Sequence, residues 1–256
     1  MKTTGCFHSD GHAALRGALS TREVEGFRLA LDEAIQQAQG CSPERQRQDI
    51  IFERGLPDQS RTGLSASEAG GQVFILGDLC RYSPRFLALL RNSRLTDACR
   101  RHLRSDVVVA HLMNATIKQP LSGRAIRWHR DFPNGYLCGP RSDFLRVMIC
   151  LDGMVEAGGA TRFIPGSHLV NDSVAIEEKR RGARSDLNEF DGVAAECTPG
   201  DVVFIHPKVI HGSPANRSNR IRRNIIVQVG VGTSDLVGPF ESVTGFRLGP
   251  EGETGV

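Results

Sequence analysis

From residue 107 onward the chain reads VVVAHLMNATIK (107–118), AIRWHRD (125–131), FLRVMICLD (144–152), ATRFIPG (160–166), DVVFIHP (201–207) and RRNIIVQVG (222–230). Each segment is short, rich in β-branched residues and bounded by Gly, Pro, Asn or Asp, as strands between turns are. Six such segments with no long helices between them predict an antiparallel sandwich or jelly roll. They argue against alternating βαβ units.

Upstream the pattern is helical. Residues 20–39 open with Ser20 three before Glu23, the spacing of a capping box, and carry Val24, Phe27, Leu31, Ala34 and Ile35 at helical intervals. A second helical region runs through FLALLRN (86–92) and LTDACRRHL (95–103). Between these regions, 41–71 is polar and broken by Pro and Gly, so a long loop that could lie over a site is expected there. The charged stretch 171–192 is expected to be a mobile loop between strands. The predicted organisation is one domain: a helical part (1–104), a β core (105–232) and a tail (233–256).

Composition bounds the function. A chain of 256 residues, 39% hydrophobic and 24% charged, is an ordinary globule; at this length roughly 70–75% of the unfolded surface is buried. The net charge of +3, from 32 basic and 29 acidic residues, offers no general basic field for nucleic acid. No apolar run reaches the length of a membrane span, and no signal-peptide stretch opens the chain. Seven scattered cysteines without a CxxC pair suggest a reduced, cytoplasmic protein. A small-molecule substrate is the expected partner, with neither nucleic acid nor membrane.

Chemistry concentrates in WHRD (128–131). Alternate side chains of a strand share a face, so His129 and Asp131 point one way and Arg130 the other. His211 follows DVVFIHP by a short loop and could be brought alongside by a neighbouring strand. Two histidines and a carboxylate on one face of a metal leave open positions, the ligand set of non-haem Fe(II) oxygenases, although zinc hydrolases use the same donor types. Eleven residues after His211 comes Arg222, with Ser213 on the path between them. A guanidinium and a hydroxyl suit the far carboxylate of 2-oxoglutarate.

In order and spacing, His129-Arg130-Asp131, the run Gly159 to His168 (GATRFIPGSH), Gly200-Asp201, and His211-Gly212-Ser213 with Asn216, Ser218 and Arg222 resemble the phytanoyl-CoA dioxygenase family. Asp10-Gly11 with Leu15 and Leu19, and Lys118 eleven before His129, are similar too. The resemblance implies a mainly β fold with flanking helices, a double-stranded β-helix of the cupin-like jelly-roll type. It also implies Fe(II), 2-oxoglutarate and O2, with His129, Asp131 and His211 as metal ligands, Ser213 and Arg222 on the 2-oxoglutarate carboxylate, and Thr116 as a polar co-substrate contact. The implied reaction decarboxylates 2-oxoglutarate to succinate and CO2 and, in most members, hydroxylates an unactivated C–H bond. Asp131 argues against halogenation, since halogenating relatives lack the acid.

Strand parity puts Asn114 with Thr116, and Arg127 with His129 and Asp131, so Asn114 and Arg127 are the candidate substrate contacts. They favour a small polar metabolite or natural-product intermediate; a fatty acyl-CoA is the alternative within the family, and a non-catalytic metal-binding β-roll the alternative outside it. His168 is expected to make a structural hydrogen bond, Trp128 to pack in the core, and Cys138 and Cys150 to have no nucleophilic role. His206 is equally a neighbour of the metal ligands or a surface group.

Overall fold

The computed structural model describes residues 3–53, 71–181, 186–233 and 235–251. In chain order its strands are β1 (Thr3–Thr4), β2 (His12–Leu15), β3 (Ile50–Phe52), β4 (Val73–Leu76), β5 (Val109–Lys118), β6 (Ile126–His129), β7 (Phe144–Cys150), β8 (Arg162–Ile164), β9 (Val193–Ala194), β10 (Val202–Ile205), β11 (Ile210–Ser213) and β12 (Arg222–Gly230). The helices are α1 (Phe7–Asp10), α2 (Thr21–Gln39), α3 (Pro43–Asp49), α4 (Leu79–Tyr82), α5 (Leu87–Leu90), α6 (Ser93–Leu103) and α7 (Asp172–Arg181).

The strands form two antiparallel sheets, the larger in the order β1-β2-β10-β7-β12-β5-β4-β3 and the smaller β6-β11-β8-β9. The expected jelly roll is the fold. Strand alternation divides the large sheet. Leu145, Val147 and Ile149 of β7, Val202 and Phe204 of β10, and Ile225, Val227 and Val229 of β12 face outward into one apolar core. That core is closed by Val24, Phe27, Leu31 and Ala34 of α2 and by Leu95, Ala98 and Cys99 of α6. The capping box that starts α2 is present: Ser20 Oγ accepts from Glu23 N at 3.3 Å, and the Glu23 carboxylate accepts from Ser20 N at 2.7 Å. The opposite face of the sheet looks into the roll.

Four expectations change. The N-terminal part is not purely helical, because β1, β2, β3 and β4 extend both edges of the large sheet. The start of 41–71 is ordered as α3 and β3; Pro43 at the first helical turn and the Ser42 cap, accepting from Arg45 N, are the local reason. Most of the rest of that expected loop lies outside the described residues. The stretch 171–192 contains α7, whose Asp172 is tied to Lys208 Nζ at 2.8 Å and Ser142 Oγ at 2.8 Å. The tail returns to the core with Val243, Phe246 and Leu248, each at most 3% exposed.

Candidate active site

The site is built on β6 and β11, which pair so that His211 stands directly across from His129. Each imidazole is oriented from behind: His129 Nδ1 lies 2.8 Å from Arg127 O, and His211 Nδ1 lies 3.0 Å from Val209 O. A carbonyl can only accept, so Nδ1 carries the hydrogen and the Nε2 lone pair is presented to the roll interior. Burial, with His129 beside it, holds His211 down at about 4, neutral at physiological pH.

Asp131 lies two residues past the end of β6, so the expected strand parity is not what aims it. The chain there is held by Phe132 N donating to Pro207 O at 2.9 Å. Its carboxylate reaches 3.6 Å from His211 Nε2 and 4.0 Å from His129 Nε2. One donor atom from each of the three residues lies within 4.8 Å of the other two. Burial alone would raise the Asp131 carboxyl, but the Arg146 guanidinium and the two imidazoles outweigh it and hold the group below its ordinary range. Two imidazole nitrogens and a carboxylate converging on one point are a fitting donor set for Fe(II).

The donors open into a cavity of about 640 Å³ that also contains Asn114, Thr116, Ser213 and Arg222. Arg222 is 3% exposed, its Nη1 donates to Gly159 O and its Nε has no hydrogen-bond partner. No carboxylate among the described residues pairs with it. Burial lowers this guanidinium to about 10, which leaves it charged. A buried cation with an unused N–H is suited to a carboxylate ligand. Gly159 is required for this contact: φ is +70°, and a Cβ would lie 2.3 Å from Pro214 O.

Ser213 gains its role from Lys118. Lys118 Nζ, fully buried and held well below the ordinary lysine range by that burial, donates to Ser213 Oγ at 2.7 Å and to Pro214 O. Because that hydroxyl accepts from behind, its own hydrogen is free to point into the cavity. Thr116 lies across from Asn224 in the β5–β12 register, and both line the same wall.

Other family-motif residues hold the frame. Asn216 Nδ2 bridges the carbonyls of Lys118, Gln119 and Arg220 at 2.7–3.1 Å. Asp201 accepts from Gly17 N, Thr198 N and Arg16 Nη1, each at 2.8 Å. His168 makes the expected structural bond, to His8 O at 3.1 Å. His206 packs between His168 and Phe7, at ring distances of 4.8 and 5.7 Å. Trp128 is buried as expected, and its indole N–H donates to Asn188 O at 2.9 Å.

Arg127 departs from expectation. It borders the cavity yet is exposed at the rim, where the β6–β11 register slips between His211 and Ser213. Sequence reasoning missed Arg146 of β7, 3% exposed, with Nε 3.5 Å from Asp131 Oδ2. The signal was available: a lone charge inside FLRVMIC (144–150), two residues before Met148 and on the same strand face.

A two-sheet roll that gathers two histidines, an acid and a buried arginine around one cavity has the architecture of the Fe(II)/2-oxoglutarate oxygenases. Over residues 7–224 the chain matches the family model Phytanoyl-CoA dioxygenase (PhyH), and it belongs to that family. It is an Fe(II)/2-oxoglutarate-dependent dioxygenase. It is 29% identical over 150 residues to a probable alpha-ketoglutarate-dependent hypophosphite dioxygenase of Stutzerimonas stutzeri, a match over 55% of this chain that spans about half of that relative, 51%. Ectoine dioxygenase of Bordetella parapertussis is 26% identical over 245 residues, covering 86% of this chain and 72% of that protein. The crystal structure of EctD from S. alaskensis with bound Fe shares the fold, with a TM-score of 0.67 at 23% identity, over 92% of this chain and 78% of that one. No helix among the described residues is long and apolar enough to cross a membrane.

Proposed function

We propose that His129, Asp131 and His211 hold Fe(II), that Arg222, Ser213 and Thr116 receive 2-oxoglutarate, and that the enzyme hydroxylates an unactivated C–H bond of a small polar metabolite or natural-product intermediate. The observation that carries this reading is the convergence of the three donors within 4.8 Å in the same cavity as an Arg222 guanidinium with an unpartnered Nε. When bound, the iron activates O2 at the expense of 2-oxoglutarate, which leaves as succinate and CO2.

The protein's own groups orient and shield. Arg222 grips the far carboxylate, and Ser213, backed by Lys118, adds a second donor. The carbonyls of Arg127 and Val209 fix which imidazole nitrogen each histidine offers. Met148, Ile205 and Ile226 line the interior with apolar surface that excludes water from the reacting centre. Asn114 at the cavity wall and Arg127 at its mouth contact the substrate. The relatives named for hypophosphite and ectoine, both small polar compounds, support this substrate class over a long acyl-CoA. The absence of any disulfide among seven free thiols supports a reducing, cytoplasmic setting.

The test is succinate release by the purified protein with Fe(II), 2-oxoglutarate and pools of amino acids, small acids, natural-product intermediates and acyl-CoA thioesters. Coupled turnover confined to long acyl-CoA thioesters would sink the polar-substrate reading. Failure of wild type to bind Fe(II) and 2-oxoglutarate at all would sink the site assignment.

A further inference from the structure

Arg146 is buried on a strand whose seven residues are all buried, and Arg222 does not explain it. The register places Arg146 opposite Gln228 on β12, six residues along from Arg222, or roughly 20 Å of strand at about 3.3 Å per residue. The two guanidiniums therefore project from opposite ends of the interior, with Ile226 and Met148 paired between those levels. A five-carbon diacid gripped at Arg222 and directed toward the metal donors leaves the Arg146 end open.

The charge balance of the cavity is unequal. Leaving aside Arg124, its lining includes three arginines, Arg127, Arg146 and Arg222, against one carboxylate, Asp131. Adding Fe(II) and the 2-oxoglutarate dianion changes nothing, because they cancel. An excess of positive charge remains for the substrate to answer.

At Arg146 the geometry is suited to an anion. Its Nη2 donates to the Tyr136 hydroxyl and its guanidinium carbon stands 5.4 Å from the Tyr136 ring centroid, while Nε has no hydrogen-bond partner. The Tyr136 oxygen accepts from Arg146, so its own hydrogen is free for a further acceptor. Tyr136 comes from the loop 132–143, and it also lines the cavity. Among the described residues Asp131, at 3.5 Å, is the carboxylate that pairs with Arg146, and Glu241 acts on it from further off; in the proposed holoenzyme the Asp131 charge is shared with iron.

We propose that Arg146 and Tyr136 form the substrate's anion subsite, and that the substrate carries an oxyanion group, a carboxylate, phosphonate or phosphate, bound on the side of the metal away from Arg222. The proposal rests on the iron and 2-oxoglutarate assignment above.

The experiment uses protein loaded with Ni(II) and saturating 2-oxoglutarate, so that the Arg222 end is occupied. It is titrated with inorganic phosphate, methylphosphonate and butanoate, and in parallel with neutral butanamide and cationic butylammonium, following intrinsic tryptophan fluorescence and thermal shift. The expected result is binding of the oxyanions alone, weakened by roughly 30-fold or more in Arg146→Gln and partly restored in Arg146→Lys, with 2-oxoglutarate affinity little changed. Tyr136→Phe is expected to give a smaller loss of the same kind.

The proposal is overturned if no oxyanion binds wild type, if butanamide binds as well as butanoate, or if Arg146→Gln weakens 2-oxoglutarate as much as Arg222→Ala does. It is also overturned if Arg146→Gln loses Ni(II) while oxyanion affinity at restored metal is unchanged, which would make Arg146 a positioning residue for Asp131. Wild type that binds Ni(II) and 2-oxoglutarate but no oxyanion keeps the iron-site reading and loses only this subsite. Wild type that binds neither loses both.

Discussion

On β12, Arg222 and Asn224 face the interior of the roll while their neighbours Arg223 and Ile225 face the helices. The two arginines are adjacent in sequence and live in different solvents. Arg223 is held by Asp152 at 2.9 and 3.0 Å and by Asp32 at 2.8 and 3.0 Å, so its charge is answered within the protein. Arg222 has a carbonyl, a methionine sulfur at 4.0 Å and an idle Nε. The same contrast runs along β7, where Leu145 and Val147 enter the apolar core while Arg146 enters the cavity. One face stabilises the fold; the other holds unsatisfied polar groups that a ligand completes, an arrangement that lowers stability in exchange for binding.

The largest expected effect that would break this contrast is at Asp131. Asp131→Ala removes one of the proposed metal donors and unpairs Arg146, so succinate release is expected to fall to background while far-ultraviolet circular dichroism is retained. Wild-type turnover at matched iron occupancy would show that the triad is misassigned. On the outer face, Phe204→Ala empties a site 1% exposed and is expected to lower the unfolding free energy by about 3–5 kcal/mol. The folded fraction should keep its KM for 2-oxoglutarate. A changed KM would mean that the two faces are mechanically coupled.

The two arginines of β12 sharpen the comparison at a single step of sequence. Arg222→Ala is expected to raise the KM for 2-oxoglutarate by about 30-fold to several-thousand-fold, equivalent to about 2–5 kcal/mol. In the absence of co-substrate it is expected to leave the melting temperature equal or higher, because a desolvated cation is removed. Arg223→Ala should do the reverse, costing on the order of 1 kcal/mol of stability with KM unchanged. A larger KM defect in Arg223→Ala would shift the strand register by one residue and overturn the assignment.

How much of this could be read beforehand follows from the same alternation. The bounds of β12 were legible because β-branched residues fill it from Arg222 to Gly230. That His129 and His211 come together was legible because each ends or lies within a short strand of recognisable composition. Asp131 joins the two histidines, but not by the strand parity expected, since its strand stops at His129 and a loop contact aims it. Arg127 reaches the cavity, but at its exposed rim, because parity cannot see the slip in register between β6 and β11. The edge strands β1 to β4 were hidden in a region read as helical and loop-like, because two to four residues are too few to display a period. Arg146 was passed over because an apolar strand invites the eye to count its hydrophobes and forgive its one charge.

The smallest expected effect falls on both faces alike. His102, against Phe204 at 5.0 Å on the outer side, and His111, bonded to Gln228 at 2.9 Å at the inner side, are each held at about 4 by burial. The titratable and charged groups facing them are His8 and Arg101 for the first, and Arg146 and Asp143 for the second. A histidine lowered on folding takes its proton first in the unfolded chain, so its neutral burial is fully favourable above about pH 6.5 and is lost as pH falls from there toward 4. Each group contributes up to about 1.4 kcal/mol per pH unit in that window, less for His102, which solvent partly reaches. Denaturant midpoints measured from pH 7 to pH 4 should therefore fall, and His102→Leu should flatten the slope by one group's share while leaving turnover at pH 7 unchanged. An unaltered slope would mean that the His102 ring meets solvent freely, and that the outer face is less dry than its neighbours on β10 imply.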